Sequence, residues 1–160
     1  MHSAYTGWPN DSNNRAWEEL IRPVVFNATA EEMILAGEPL DDSVRLPAGG
    51  YLGSLGVYHE LHCLRRIRLW LHRDTYYPNA TRDDELFMQV HIGHCIEVLR
   101  LSAMCTADLG LYSFFWSSSD ALKPTARSSA PRKCKRWSQI DDWTRERMLP
   151  NTHAPLLKGD

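Results

Sequence analysis

Residues 57–70 read VYHELHCLRRIRLW and residues 83–105 read DDELFMQVHIGHCIEVLRLSAMC. Each stretch contains one copy of the block His-x-x-His-Cys: His59, His62 and Cys63 in the first, His91, His94 and Cys95 in the second. Apolar residues recur around both blocks at helical spacing, with Val57, Leu61, Leu64, Ile67 and Leu71 in one and Leu86, Val90, Val98, Leu101 and Met104 in the other. The pattern predicts a helix from about Val57 to Tyr76, ended by Pro78. A second helix, capped by Thr81 with Asp83, Asp84 and Glu85 at its positive end, should run towards Gly110. Residues three and four apart share a helix face, so the two histidines and the cysteine of each block point the same way. The short connection around Pro78 favours antiparallel packing. Together these place four imidazoles and two sulfurs in one region.

Outward from this pair, the chain reads as one domain over residues 13–150, with a flexible arm at 1–12 and a flexible tail at 151–160. The expected fold is mainly α: two long antiparallel helices carrying the blocks, packed with shorter helices, with room for a small β-hairpin of Val44–Leu46 against Tyr51–Leu55. Trp17, Leu20 and Ile21 form the stripe of a short helix stopped by Pro23. Thr29 and Glu32 make a capping box for another that Gly37 closes. Tyr112, Phe114, Phe115 and Trp116 read as core or pocket lining, and residues 117–136 as a mobile Ser-rich, basic loop. Ser138 is placed as the cap of a last helix, with Ile140, Trp143 and Met148, that ends at Pro150.

The 160 residues carry 43% apolar and 24% charged side chains, which excludes a wholly disordered or collagen-like chain. A formal charge of -2 argues against nucleic acid as a partner. No apolar run is long enough to span a bilayer, and no signal-peptide pattern opens the chain. Asn10, Asn27 and Asn79 each begin a glycosylation triplet, and with the cysteines they lean towards a secretory-pathway lumen.

Gathered imidazoles have little reason to exist without a metal: charged, they repel, and neutral and buried, each needs partners for two nitrogens. His59, His62, His91 and His94 are therefore the expected metal ligands. The cysteines separate two readings. In a reducing compartment, Cys63 and Cys95 as thiolates favour a closed structural zinc site in a non-enzymatic module that presents a protein-binding surface. In an oxidising lumen they join as a disulfide and leave the metal to the histidines. Cys105 and Cys134 then form a second bridge, whose loop of about 30 residues would contribute roughly 3 kcal/mol, or else stay as buried thiols. Glu60 and Glu97 flank the blocks and are candidates to orient imidazoles, or plain helix-surface carboxylates. Tyr58, beside the first histidine, is a candidate redox or proton donor, or a packing residue. The basic run of Arg132, Lys133, Lys135 and Arg136 reads as a solvated loop or an attractor for an acidic peptide.

The doubled block, within YHELHCLRRIR (58–68) and HIGHCIEVLRLSAMCTAD (91–108), resembles the UstYa-like proteins of fungi. AWEEL (16–20), YLGSLGVYH (51–59) and CKRWSQIDDW (134–143) carry the resemblance across residues 17–148. It implies a copper-dependent oxidoreductase of natural-product biosynthesis that uses dioxygen or peroxide on C–H bonds of a peptide or small molecule. Cyclisation, dehydrogenation, hydroxylation and halogenation are all outcomes in that family. It also implies a membrane-anchored, lumen-facing protein in full-length form, and a homodimer or heterodimer with another family member. Arg100 and Asp108 match family positions and are further catalytic candidates, expected as a buried pair or as substrate contacts. The chain departs from the family at Leu109-Gly110-Leu111, where a Thr-rich stretch is expected.

Overall fold

A computed structural model describes residues 3–118 and 122–150. Its elements are α1 (Asp11–Ile21), β1 (Phe26–Ala28), α2 (Ala30–Ala36), β2 (Tyr51–Gly53), α3 (Gly56–Leu71), α4 (Arg73–Tyr76), α5 (Arg82–Thr106), β3 (Ser113–Phe115), β4 (Thr125–Arg127) and α6 (Trp137–Arg145). The fold is mainly α, as the helical periodicity predicts. Among the described residues, no helix is long and apolar enough to cross a membrane.

Three helices begin with a capping box, at Asn10/Asn13, Thr29/Glu32 and Thr81/Asp84. In each, the cap side chain accepts from the third backbone N–H of the helix, an interaction worth about 1 kcal/mol. The Asn10 box starts α1 two residues before the sequence expectation. Residues 3–10 are largely exposed and touch the helices at two points: Trp17 Nε1 donates to the Tyr5 carbonyl at 3.0 Å, and Arg68 Nη1 to that of Gly7 at 3.0 Å. The first long helix also ends earlier than expected. At His72 the backbone leaves helical geometry (φ -114°, ψ 33°), and α4 continues as a separate turn.

The expected hairpin is only partly found. Tyr51–Gly53 pairs with Phe26–Ala28 in antiparallel register, Asn27 opposite Leu52, while residues 44–46 add single contacts such as Arg45 against Tyr51. Gly49 and Gly50 turn the chain there at φ +89° and +90°, a region side chains rarely adopt. A Cβ at Gly50 would also overlap the Asn27 carboxamide. A second hairpin pairs β3, in the aromatic cluster, with β4, which lies inside the segment read as a loop. It carries the aromatic cluster to the surface, with Tyr112, Phe114 and Trp116 50%, 67% and 63% exposed, so these are not core residues.

The buried centre is small: Phe26, Ala28, Leu46, Tyr58, Cys63, Cys95 and Thr144, with Pro23 and Asn13. It lies where α3 meets α5 on one side and α6 on the other. Helix α6 starts at Trp137 without a side-chain cap, rather than from Ser138. It is held by polar ties: Tyr58 Oη donates to Asp141 at 2.7 Å, Arg145 Nη2 donates to the Glu19 carbonyl at 2.8 Å, and Arg147 pairs with Glu32.

Candidate metal centre

Helices α3 and α5 run antiparallel, since His59 faces His94 and His62 faces His91 across their seam. The ring centroids lie 5.6 and 5.9 Å apart across the seam, and 6.5 and 6.4 Å apart along each helix. Helical spacing produces this: positions i and i+3 lie on one face, and the antiparallel register sets the two faces together. Sequence reasoning thus brings the four expected imidazoles into one cluster. Its spacing is wider than a closed coordination shell. Among the described residues, no three His, Cys, Asp or Glu side chains converge closely enough to hold an ion as the rings stand, so binding requires the imidazoles to turn inwards.

The donor set itself suits a metal. Among the described residues, His62 Nε2 accepts a long bond of 3.5 Å from Arg66 Nε, and the other three rings make no hydrogen bond. Burial, reinforced by the Arg66 guanidinium and the neighbouring imidazoles, pushes the His62 pKa down to about 4 and lowers that of His91. Neutral imidazoles with free nitrogens are the form that binds copper, zinc, iron or nickel.

The sulfurs lie beneath the rings. Cys63 and Cys95 are both fully buried and touch, and all four cysteines are free thiols in the structure. Burial first, then the bond to Cys95, pushes the Cys63 thiol up to about 12, so its surroundings favour the neutral thiol over a metal-binding thiolate. Cys105 and Cys134 are exposed, which removes the reading of them as buried thiols.

The other candidates disperse. Tyr58 is fully buried with its hydroxyl on Asp141, and burial followed by that bond raises its pKa to about 12. It packs α6 onto α3. Glu60 is half-buried and has no hydrogen bond among the described residues, and its charge adds to the rise at Cys63. Arg100 and Asp108 do not form the expected buried pair. Arg100 holds Glu97 on the same helix at 2.5 Å, and Asp108 accepts from Arg132 at 2.9 Å, all four half-exposed. The turn after α5, with Ala107 at φ +40°, carries Asp108 away from the helix line. Arg132 also donates to Tyr112 Oη at 2.7 Å, so one member of the basic run is engaged. Asn10 caps α1, Asn27 donates Nδ2 to the Gly49 carbonyl at 3.1 Å, and Asn79 is exposed with no side-chain bond among the described residues. Arg66 was missed by sequence reasoning. The signal available was its place four residues after His62, on the same helix face.

A family model described as "Mycotoxin biosynthesis protein UstYa" matches residues 1–147. Among curated proteins, the chain is similar to UstYa family oxidase phomYc of Diaporthe leptostromiformis, 31% identical over 148 residues, covering 88% of this chain and 58% of that protein. It is similar to UstYa family oxidase phomYc' of the same fungus, 32% identical over 144 residues, with 88% and 50% covered. It is also similar to UstYa family oxidase aprY of Aspergillus flavus, 24% identical over 151 residues, with 86% and 45% covered. The chain spans about half the length of these curated relatives. No solved structure matches it.

Proposed function

The chain belongs to the UstYa family, and from that premise we propose that it is a copper-dependent oxidase acting on C–H bonds of a peptide or other small natural product. The observation that carries the reading is the cluster of His59, His62, His91 and His94, drawn from two helices and short of hydrogen-bond partners. The names of the curated relatives, UstYa family oxidases, supply the reaction class. Copper held by these four residues would supply one-electron redox chemistry with dioxygen or peroxide as the oxidant.

The protein's own part is to hold and shield. His59 and His62 lie on a helix anchored at its base by Cys63 and Tyr58, both fully buried. His91 and His94 lie on α5 above the buried Cys95. His62 and His91 are kept neutral by burial first, then by the Arg66 guanidinium and the neighbouring imidazoles, so both present lone pairs at neutral pH. The full burial of Cys63 and Cys95, with the Cys63 thiol held neutral, supports the histidines, rather than a mixed zinc–thiolate shell, as the ligands.

The test is reconstitution with copper, measurement of bound metal and of its electron paramagnetic resonance, then turnover of a candidate peptide. One copper signal with nitrogen ligands and oxidised product is the expected result. Equal turnover in His59→Ala and His94→Ala would remove the imidazoles from the reaction. Stoichiometric zinc bound through sulfur would replace the reading with the structural module.

A further inference from the structure

A cavity of about 200 Å³ opens beside His91, between the last turns of α3, Tyr77 in the α4–α5 connection and the first turns of α5. At roughly 30 Å³ per water, that is room for one aromatic ring and a short polar tail. Trp70, Phe87, Met88 and Ile92 give it apolar walls, and among the described residues Arg66 and His91 are its ionisable groups apart from the Tyr77 phenol, with no carboxylate lining it.

Among the described residues Arg66, like Arg68 two residues along α3, lacks the acidic partner that several other arginines have, and Arg66 in addition lines this cavity. Arg65 pairs with Glu18, Arg100 with Glu97, Arg145 with Asp141 and Arg147 with Glu32. Among the described residues Arg66 has no acidic partner, and its one hydrogen bond is the 3.5 Å contact from Nε to His62. A guanidinium set beside two imidazoles and against an apolar wall lacks an anion. Its planar fork matches a carboxylate with two parallel bonds. Beyond Phe87 a second cavity of about 410 Å³ shares Tyr77, Phe87 and Met88 with the first and continues past Pro78. A longer molecule could leave the first cavity by that route.

We propose that this cleft is the substrate site, and that it takes an aromatic carboxylate: the acid on Arg66, the ring against Trp70, Phe87 and Ile92, beside the imidazole cluster. The same chemistry is offered by a free arylalkanoic acid and by a peptide ending in an aromatic residue. The role of the bound molecule as substrate rests on the oxidase reading, whereas its binding rests on the cleft alone.

The test measures binding to the full copper-reconstituted chain by calorimetry, with 3-phenylpropanoate, its amide, acetate and N-acetyl-alanyl-phenylalanine as probes. The acid should bind about ten- to a hundredfold more tightly than the amide, the range expected for a charge-assisted pair. Arg66→Gln should abolish that preference, Arg66→Lys should keep part of it, and Phe87→Ala should weaken acid and amide alike. Tighter binding of the dipeptide than of 3-phenylpropanoate assigns the site to peptide ends, and the reverse order assigns it to free acids. Equal binding of acid and amide overturns the proposal. So does a preference that survives in folded Arg66→Gln, or acetate competing as well as 3-phenylpropanoate. Should Arg66→Gln not fold, the acid–amide and acetate comparisons in the unaltered chain decide. Copper content is measured alongside. A chain that binds no copper yet prefers the acid defeats the oxidase reading and leaves the cleft standing, and a copper-loaded chain with no preference does the opposite.

Discussion

His59 and His94 stand 5.6 Å apart, ring centre to ring centre, across the seam of α3 and α5, closer than either is to the second histidine of its own block. A metal held here therefore joins two helices, and its binding energy becomes stability of their packing. Copper should raise the melting temperature of the wild-type chain in a concentration-dependent way. His59→Ala or His94→Ala should each weaken copper binding by more than about a hundredfold, since even outer-shell partners of metal ligands cost about 10–100-fold. Thermal melts at graded copper concentrations check this, and an unchanged shift in both variants contradicts it.

The Tyr58 hydroxyl bonds to Asp141, not to an imidazole of the cluster, in a fully buried setting. Tyr58→Phe should destabilise the fold by about 1.5–3 kcal/mol, the range for a hydrogen bond to a charged group. Arg145 still pairs with Asp141, which favours the lower end. Turnover per folded molecule should stay within about twofold. Urea unfolding with activity measured in parallel checks it. A large loss of turnover at full stability would restore the phenol as a proton donor.

Legibility followed the range of each interaction. The caps at Thr29 and Thr81 and the shared face of His91 and His94 depend on residues three apart, and these could be read directly. The break at His72, the pairing of Tyr51–Gly53 with Phe26–Ala28 and the partnership of Asp108 with Arg132 depend on parts of the chain distant in sequence. Hydrophobicity alone misplaced Tyr112, Phe114 and Trp116, because it says nothing of whether a neighbour exists to cover them. The cleft at Arg66 was hidden for a similar reason. It exists only because α4 turns at His72 and brings Tyr77 over Phe87.

Cys63 and Cys95 have no exposed surface, whereas Cys105 and Cys134 are exposed. Brief treatment of the native, reduced chain with iodoacetamide should label Cys105 and Cys134 and spare the buried pair until denaturant is added. Peptide mass mapping reads this directly. Early labelling of Cys63 would mean that the α3–α5 seam opens far more readily than its burial implies. A bridge between Cys63 and Cys95 in chain made in an oxidising compartment would show instead as thiols that resist labelling even when unfolded.

Glu32 is held by Arg147, with the Thr29 cap adding to it, and its carboxyl is pulled down to about 2 from the ordinary 4.5. Between those two values the unfolded chain binds the proton and the folded chain does not, so stability from this pair is complete above about pH 4.5 and is lost as pH falls towards 2. Both side chains are partly exposed, and solvent screening limits the contribution to about 1 kcal/mol. Glu32→Gln should lower stability by that amount at pH 7 and flatten its dependence on pH across the same window. Denaturant midpoints measured from pH 7 to 2 check the sign. A variant with the wild-type slope would place the acid sensitivity elsewhere.

The three glycosylation triplets are unequal once folded. Asn27 lies under Gly50 with its amide on the Gly49 carbonyl, and Asn10 uses its side chain to start α1. Asn79 is exposed at the turn between α4 and α5, with nothing bonded to its amide among the described residues. Chain passed through a secretory pathway should therefore carry its glycan at Asn79. Asn79→Gln should remove the mass added there, while Asn27→Gln should leave that mass and cost stability, because the contact that fixes the Gly49-Gly50 turn is altered. Intact-mass measurement with glycosidase treatment distinguishes the sites. A glycan found on Asn27 would require the Gly49-Gly50 turn to sit away from β1, against the register of Asn27 with Leu52.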